Sequence, residues 1–263
     1  MRILFVGDIF GKPGREAAER LIPTLRDENK IDFCIANGEN AAAGKGLTPD
    51  LVNDILQLGV DVITGGNHIW QQKAIIPFID SEPRVLRPIN YPPVVPGKGW
   101  GIYALDGKPK VSVISVMGRI FMRELDNPFY VVEKEINEIR KQTPIIIVDI
   151  HAEATSEKIA MGWFLDGKVS ALIGTHTHVP TADERILPNG TAYITDVGMT
   201  GPFNSVIGVK KENILNMFLT QMPVKHEVAT GDVRLCAVII DIDESTGKAQ
   251  HIERIQLKLE DKS

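Results

Sequence analysis

Two histidines, His176 and His178, are separated by one residue and directly follow a short apolar segment, in the sequence ALIGTHTH (171–178). In an extended chain, residues i and i+2 point to the same side, so both imidazole rings face one spot. A single histidine beside a core is common, whereas two on one face need a shared explanation. The spacing is consistent with a metal site, an acid–base pair, or coincidence in a loop.

Polar residues that can bind metals follow four other strand-like segments of the chain. They are Asp8, the NGEN cluster (37–40), the GGNH cluster (65–68) and His151. Open α/β sheets bind ligands beyond the carboxyl ends of their strands, and these residues fall at such ends. Each has an ordinary explanation when taken singly, such as a turn residue or a partly buried histidine. Five strand ends that together supply Asp, Glu, Asn and His favour one shared site.

These side chains offer more ligands than a single ion needs. Imidazole, carboxylate and carboxamide groups together suit zinc, iron or manganese better than calcium or magnesium. The set divides naturally over two ions that share one carboxylate. Paired ions about 3.5–4 Å apart clamp a phosphoryl group and hold an activated water between them. In such a site His176 and His178 each reach a different ion, which explains their close spacing.

The elements that position these residues are readable as alternating strands and helices. Apolar segments such as RILFVGD, PIIIVDIHAE and VRLCAVIIDID are interpreted as buried strands. One helix is predicted from an N-cap at Thr48 to a stop at Gly59, and others over 14–29, 129–141, 156–165 and 210–221. The alternation predicts a layered α/β fold, and the last strands, which lack long helices between them, are expected to be antiparallel or to form a second sheet. We expect a single domain over 1–263, with a loop-rich surface excursion around 83–109.

The chain has 263 residues, of which 43% are hydrophobic and 24% are charged, and its formal net charge is −5. This composition is typical of a globular protein, and the acidic balance argues against stable binding of duplex nucleic acid. The two cysteines, Cys34 and Cys236, lie in apolar segments and are expected to be buried free thiols. Because no signal-peptide cleavage site and no run of roughly 20 apolar residues is present, we expect a cytoplasmic protein without a membrane partner.

Five ordered motifs resemble the calcineurin-like metallophosphoesterase superfamily, and in particular its YmdB-type bacterial phosphodiesterases. They are GDIFGKPGR, ANGENAAAGKGLT, GGNHIW, DIHAEATSEK and GTHTHVPTAD, and the resemblance covers nearly the whole chain. It implies an α/β/β/α sandwich with mixed sheets flanked by helices. It also implies a binuclear-metal phosphodiesterase that acts on 2′,3′-cyclic nucleotides such as 2′,3′-cyclic AMP, in which a hydroxide bridging the ions attacks phosphorus.

Seven residues match the metal ligands of that family. The resemblance assigns one ion to Asp8, Glu39, Asn40 and His178. It assigns the other ion to Glu39, Asn67, His151 and His176. His68, which is adjacent to a ligand, resembles the general acid of the family and would protonate the departing ribose oxygen.

Two positions depart from the broad superfamily, and the YmdB-type branch shares both departures. Most members have Asp-x-His after the first strand, whereas this chain has Asp8 followed by Ile9 and Phe10, and a phenylalanine cannot coordinate an ion. Most members bridge their ions with an aspartate, whereas this chain has Glu39, with Asn40 as the expected oxygen replacement. An oxygen-rich site favours two divalent or mixed-valence ions of iron or manganese, with zinc as an alternative.

The same residues allow other interpretations. The segment GDIFGKPG is not a P-loop, because only three residues separate Gly7 from Gly11 and Pro13 replaces the Ser or Thr that holds magnesium. An amidohydrolase is not favoured, because it would carry its two-histidine segment on the first strand, together with a bridging lysine. In this chain the segment comes late, at 176–178, and no such lysine is evident. A metal-dependent nucleotide-binding regulatory protein and a phosphomonoesterase with little diesterase turnover stay open as alternatives. A homo-oligomer is expected only by analogy with similar enzymes.

Further residues are candidates to contact the substrate. Those that could hold a nucleoside are Phe10, Trp70, Arg119 and Phe203, although packing in the core or at the rim explains them equally well. Thr155 and Ser156 begin a segment that either forms a phosphate-binding helix N-terminus or is a simple capping box with Lys158 exposed. His226 and His251 are interpreted as surface residues.

Overall fold

A computed structural model describes residues 1–260 of the chain. Over this range the chain forms five α-helices, which are α1 (Gly11–Glu28), α2 (Pro49–Gln57), α3 (Pro128–Ile139), α4 (Thr155–Leu165) and α5 (Lys211–Thr220). Each lies where the sequence predicts a helix, with ends within three residues of the predicted ones. Thr48 caps α2 as expected, because its side chain accepts a hydrogen bond from the backbone N–H of Leu51.

Fourteen strands accompany these helices in the described range. They are β1 (Arg2–Val6), β2 (Asp8–Ile9), β3 (Phe33–Asn37), β4 (Val62–Thr64), β5 (Val85–Leu86), β6 (Trp100–Leu105), β7 (Lys108–Met117), β8 (Ile145–His151), β9 (Ala171–Thr175), β10 (Arg185–Ile186), β11 (Ala192–Ile194), β12 (Met199–Pro202), β13 (Val233–Ile242) and β14 (Ala249–Lys258).

The strands form two mixed sheets. The larger has the order β2-β12-β13-β1-β3-β4-β5, with β14 paired to β13 beside this path. Its strands β1, β3, β4 and β5 are parallel, whereas β13 is antiparallel to both β1 and β14. The smaller sheet has the order β10-β11-β9-β8-β7-β6, with parallel pairs at its centre and antiparallel pairs at both edges. The parallel strands β3, β4, β8 and β9 carry polar clusters at their carboxyl ends.

Side-chain alternation in β1 separates two of the layers. Leu4 and Val6 pack in the buried cluster that contains residues of α1 and α2. Ile3 and Phe5 point the other way and pack in the cluster between the two sheets. Because successive side chains of a strand face opposite sides of its sheet, one apolar segment supplies both clusters.

Strand β8 does the same for the other two layers. Ile145 and Ile147 pack in the cluster between the sheets, whereas Ile146 and Val148 pack with residues of α3 and α4. The layers therefore follow in the order α/β/β/α, with mixed sheets flanked by helices, and the predicted fold class is confirmed.

Other sequence expectations have different outcomes. Cys34 and Cys236 are buried free thiols, as predicted. The assignment of 1–263 to a single domain stays a prediction, and the stretch 83–109 contains β5 and β6 among its turns. Within residues 1–260, none of the helices has the length and apolar character required to cross a bilayer.

Candidate metal centre

The structure brings the seven predicted ligands together where the carboxyl ends of the two sheets adjoin. From the larger sheet and the turns that follow its strands come Asp8, Glu39, Asn40 and Asn67. From the smaller sheet and the turn after β9 come His151, His176 and His178. Each of the seven is linked to another member by a contact of 3.3 Å or less.

One group of ligand atoms surrounds Nε2 of His151, a fully buried residue. This nitrogen lies 2.9 Å from Oδ1 of Asn67, 3.0 Å from Nδ1 of His176 and 3.1 Å from Oε1 of Glu39. Ligand atoms of Glu39, His151 and His176 all lie within 4.8 Å of one another, a separation that suits coordination of one ion. These four residues are the set that the sequence resemblance assigns to the second ion.

Hydrogen bonds on the outer side of His151 decide which way its ring presents a lone pair. Its Nδ1 lies 2.9 Å from the hydroxyl oxygen of Thr175, and that hydroxyl donates to Oδ1 of Asp149 at 2.7 Å. Because the hydroxyl proton is directed to Asp149, Nδ1 of His151 is the donor to Thr175. Nε2 of the neutral ring therefore carries a lone pair toward the other ligand atoms, as in metal-bound histidines.

The other two histidines are oriented in the same manner. Nε2 of His176 lies 3.1 Å from a carboxylate oxygen of Glu153, and Nδ1 of His178 lies 2.9 Å from the carbonyl oxygen of Ile207. Both oxygens can only accept, so these outer nitrogens donate and the inner nitrogens carry lone pairs. The inner nitrogens of His151 and His176 lie 3.0 Å apart, so in the neutral rings two lone pairs face each other and need a proton or a metal ion between them.

A second group of ligand atoms lies around Nε2 of His178. The Asn40 carboxamide is 2.9 Å away and Oδ1 of Asp8 is 3.8 Å away. Asp8 is fully buried, and within residues 1–260 its Oδ1 has no hydrogen-bond partner. A buried carboxylate oxygen without a partner is costly, and a bound cation would relieve that cost. Asn40 directs its Nδ2 at His178 here, and turning the carboxamide over would present its oxygen to the same point.

The electrostatics of the buried ligands attract positive charge to the inner face of His151. Burial raises the pKa of Asp8 to about 6. Burial acts to raise the pKa of Glu39 as well, yet the charge and hydrogen bond of His151 hold it well below its usual range. Burial acts to lower the pKa of His151, but Glu39 raises it to about 9. Burial and the neighbouring His151 lower the pKa of His176 to about 3. A cation at this point would take over the role of the proton.

The predicted general acid, His68, lies at the junction of the two groups. Its Nδ1 is 3.1 Å from Oε1 of Glu39 and 3.0 Å from Oδ1 of Asn40, and its backbone N–H donates to Oε2 of Glu39 at 3.0 Å. Its side chain is 26% exposed and borders a cavity of about 750 Å³. One ring nitrogen therefore faces the ligands, and the ring is open to the cavity.

Both histidines of the GTHTH segment have an unusual backbone conformation. The φ angles of His176 and His178 are 97° and 66°, in the left-handed region that residues other than glycine rarely adopt. The intervening Thr177 anchors the loop, because its backbone N–H and its hydroxyl donate to Oδ2 of Asp196 at 3.1 and 2.7 Å. The strained loop that presents the two rings is held from outside the ligand set.

A buried lysine completes this anchor. Nζ of Lys158 donates to Oδ2 of Asp196 at 2.7 Å and to the carbonyl oxygen of Thr175 at 2.6 Å. Lys158 is fully buried, so the capping-box interpretation, which leaves this lysine exposed, is wrong. Helix α4 begins at Thr155, and its N-cap residue, Ala154, has no side chain that could cap it. The phosphate-binding role of this helix start stays a prediction.

The residues suggested for nucleoside contact are scattered. Phe10 borders the 750 Å³ cavity and packs edge-on against His178, with ring centroids 5.4 Å apart. Trp70 and Phe203 pack against other side chains instead, and Arg119 borders a separate surface pocket. His226 is exposed, as expected for a surface residue, and it also borders the cavity.

Sequence reasoning missed the residues that support the ligands. Asp149 precedes His151 by two residues in β8, so strand periodicity places both on one face and could have identified it. Asp149 also accepts hydrogen bonds from Thr64 and Asn37, at 2.5 and 2.9 Å. Asp196 carries no local signal, because it lies 19 residues along the chain from Thr177.

The donor set around His151 fits a metal ion, and a second set of possible ligands adjoins it. Two buried carboxylates, two carboxamides and three imidazoles form two adjoining groups, and Nδ1 of His68 contacts a residue of each. Mixed nitrogen and oxygen ligands of this kind suit iron, manganese or zinc. The close approach of the Gly66 backbone to these ligands requires a glycine, because a Cβ at this position would overlap Glu39 and His151.

Comparison with known proteins identifies similar chains over nearly the full length. A family model described as YmdB-like protein matches residues 4–255. The chain is 52% identical, over 255 residues, to the 2′,3′-cyclic-nucleotide 2′-phosphodiesterase of Bacillus subtilis (strain 168). That match covers 97% of this chain and 96% of the relative.

Two solved structures are similar in fold and in sequence. A hypothetical protein from Thermus thermophilus superposes with a TM-score of 0.92 at 43% identity, covering 98% of this chain and 99% of that chain. A novel phosphatase from Mycoplasma pneumoniae superposes with a TM-score of 0.92 at 35% identity, covering 98% of this chain and 93% of that chain.

The anchor on Asp196 generates a prediction about metal affinity. Replacing Thr177 by valine keeps the side-chain shape but removes the hydroxyl that donates to Asp196. We expect the affinity for Mn²⁺ to fall about 10- to 100-fold, as is usual when a group that orients metal ligands is removed. Calorimetric titration of the apoprotein measures this affinity, and circular dichroism checks that the variant is folded.

The matched control is Thr24→Val, which removes an exposed hydroxyl whose hydrogen bond lies within α1. This variant should bind Mn²⁺ like the unmodified protein. Unchanged affinity in Thr177→Val would show that the Asp196 anchor does not position the histidines.

Proposed function

The chain belongs to the YmdB-like protein family and is a phosphodiesterase, and on that basis we propose that it hydrolyses 2′,3′-cyclic nucleotides at a centre of two metal ions. The observation that carries the proposal is that possible metal-ligand atoms converge in two adjoining groups. One group lies around Nε2 of His151 and the other around Nε2 of His178. The substrate class is taken from the relative in Bacillus subtilis, whose name specifies it.

We assign the two ions to the two groups of ligand atoms. One ion would be held by Asp8, Glu39, Asn40 and His178. The other would be held by Glu39, Asn67, His151 and His176. Iron or manganese is favoured, because carboxylate and carboxamide oxygens make up more than half of the ligands, and zinc is the alternative. When bound, the ions supply a water of lowered pKa as the nucleophile and positive charge beside the phosphoryl oxygens.

The residues of the chain fix the positions of the metal ligands and supply the proton for the leaving group. Glu39 has its carboxylate fixed by contacts with both His68 and His151, and in this assignment it would be shared by the two ions. The buried Asp149–Thr175 pair fixes the ring of His151, and Asp196 fixes the loop of the other two histidines. Ligands held in this way undergo little rearrangement when the substrate binds.

His68 is placed to protonate the leaving group. With Nδ1 held by Oε1 of Glu39, the ring leaves Nε2 as the nitrogen that can face a substrate in the cavity. When the phosphorus–oxygen bond breaks, the departing ribose oxygen needs a proton, and an imidazolium whose Nδ1 side faces a carboxylate can donate it. A protein that only binds nucleotides has no need of such a donor. The position of His68 therefore favours catalysis over a purely regulatory role.

The remaining expectations concern assembly and location. A homo-oligomer and a cytoplasmic location stay predictions. A phosphomonoesterase is the second candidate activity, because the similar chain from Mycoplasma pneumoniae is titled a phosphatase.

The proposal is tested by metal analysis of the purified protein, followed by a substrate panel. The panel contains phosphomonoesters, linear diesters, and 2′,3′- and 3′,5′-cyclic nucleotides. We expect about two ions per chain and the highest kcat/KM for a 2′,3′-cyclic nucleotide. Activity confined to monoesters would replace the diesterase by a phosphatase, and no activity with iron, manganese or zinc would favour the binding protein.

The role of His68 gives a sharper prediction. We expect His68→Ala to retain both ions and to lower kcat by about 10²- to 10⁴-fold, which is the usual contribution of a positioned acid. Elemental analysis and steady-state kinetics with 2′,3′-cyclic AMP measure the two quantities. The control is His251→Ala, at an exposed position on β14 that should leave both unchanged. Normal turnover by His68→Ala would remove this residue from the mechanism.

A further inference from the structure

A cavity of about 750 Å³ adjoins the candidate metal centre, and the chemistry above uses only its inner end. Its inner end is formed by two candidate metal ligands, Asn40 and His178, and by the proposed proton donor, His68. The volume lies in the range of pockets that enclose small organic ligands. A ligand whose phosphoryl group is bound at the ions would therefore have its remaining atoms in this cavity.

We propose that this cavity holds the base of the nucleotide substrate by apolar packing. The inference rests on the proposed cyclic-nucleotide activity and extends it, because it states which surface distinguishes a nucleotide from a phosphodiester without a base. The chemical class that the cavity fits is a flat heteroaromatic ring attached to a cyclic phosphate through a sugar.

The inner part of the cavity wall is formed by packed apolar side chains. Phe10 is 5% exposed and forms a buried cluster with Val209 and Ile214. The same ring packs edge-on against His178, at 5.4 Å between centroids. Phe10 therefore connects the apolar wall directly to the ligand group, at the position where most of the superfamily has a metal-binding histidine. The loss of that imidazole gives this chain an aromatic surface beside its ions.

The outer part of the wall consists of large apolar side chains that are exposed to water, and a ligand that covers them gains binding energy. Phe218 of α5 is 65% exposed and Ile207 is 51% exposed, and both border the cavity. The neighbouring Leu219 is 83% exposed but does not border it. Covering Phe218 and Ile207 with a heteroaromatic ring would remove apolar surface from water, which favours binding in proportion to the area covered.

Polar side chains at the cavity are few. Among the described residues that border it, they are Lys45, Gln72 and His226, apart from those at the inner end. The Gln72 side-chain N–H already donates to the carbonyl oxygen of Lys45 at 2.8 Å. With little capacity to read the edge of a base, the cavity should require a base without strongly selecting its identity.

The test compares two substrates on the Mn²⁺-loaded protein. One is 2′,3′-cyclic AMP, and the other is 1-O-methylribose 2,3-cyclic phosphate, which has the same reacting bond and no base. We expect Phe218→Ala to lower kcat/KM for the nucleotide about tenfold, mainly by raising KM. Stacking of a base on an aromatic side chain typically strengthens binding by at least about this factor. The same variant should leave kcat/KM for the substrate without a base unchanged.

The matched control is Leu219→Ala, which removes an adjacent exposed side chain of the same helix outside the cavity. It should leave both substrates unaffected. Equal losses of kcat/KM on both substrates in Phe218→Ala, or equal kcat/KM for the two substrates in the unmodified protein, would overturn the proposal. A change in molecular mass of Phe218→Ala on sedimentation, with unaltered nucleotide kinetics, would assign the surface to contact between copies of the chain and would also overturn it.

Failure of the underlying activity has a different signature. In that case the unmodified protein hydrolyses neither of the two cyclic phosphates, whichever residue is changed. Failure of the cavity assignment alone leaves hydrolysis of both substrates intact in the unmodified protein, and Phe218→Ala then lowers kcat/KM for neither substrate or lowers it equally for both.

Discussion

The site depends on two imidazole rings whose inner nitrogens, Nε2 of His151 and Nδ1 of His176, lie 3.0 Å apart. The outer N–H of each ring donates to an acceptor, so the inner nitrogens of the neutral rings carry lone pairs that face each other. Such an arrangement, together with buried carboxylates, is unfavourable in a protein interior unless a positive charge lies between the groups. The elevated pKa of His151, about 9, reports the same demand, since Glu39 attracts a proton to that ring.

The fold satisfies this constraint by using the ends of strands from two different sheets. Parallel strands end at a common edge, so polar residues that follow β3, β4, β8 and β9 converge without long loops. Rigidity comes from buried polar pairs outside the ligand set. Asp149 orients His151 through a hydroxyl, and Lys158 with Asp196 holds the strained turn that carries the other two histidines.

The sequence predicted the elements and the candidate ligands that the structure brings together, but not the residues that support them. Strands, helices and the polar clusters at strand ends follow from local periodicity and residue type, so Asp8, Glu39 and His151 could be identified together. Contacts between sheets have no local signal, since Asn37 and Asp149 lie 112 residues apart. Lys158 shows the same limit, because a lysine near a helix start is normally exposed, and only the three-dimensional position of Asp196 explains its burial.

The most direct measurement is crystallographic, on protein loaded with Mn²⁺ and recorded at the manganese absorption edge. Two anomalous peaks should flank the Glu39 carboxylate, separated by about 3.5–4 Å. One should lie near Asp8 and His178, and the other near His151 and His176. A single peak, or seven side chains that do not surround any peak, would contradict a centre built from two cations and one shared glutamate.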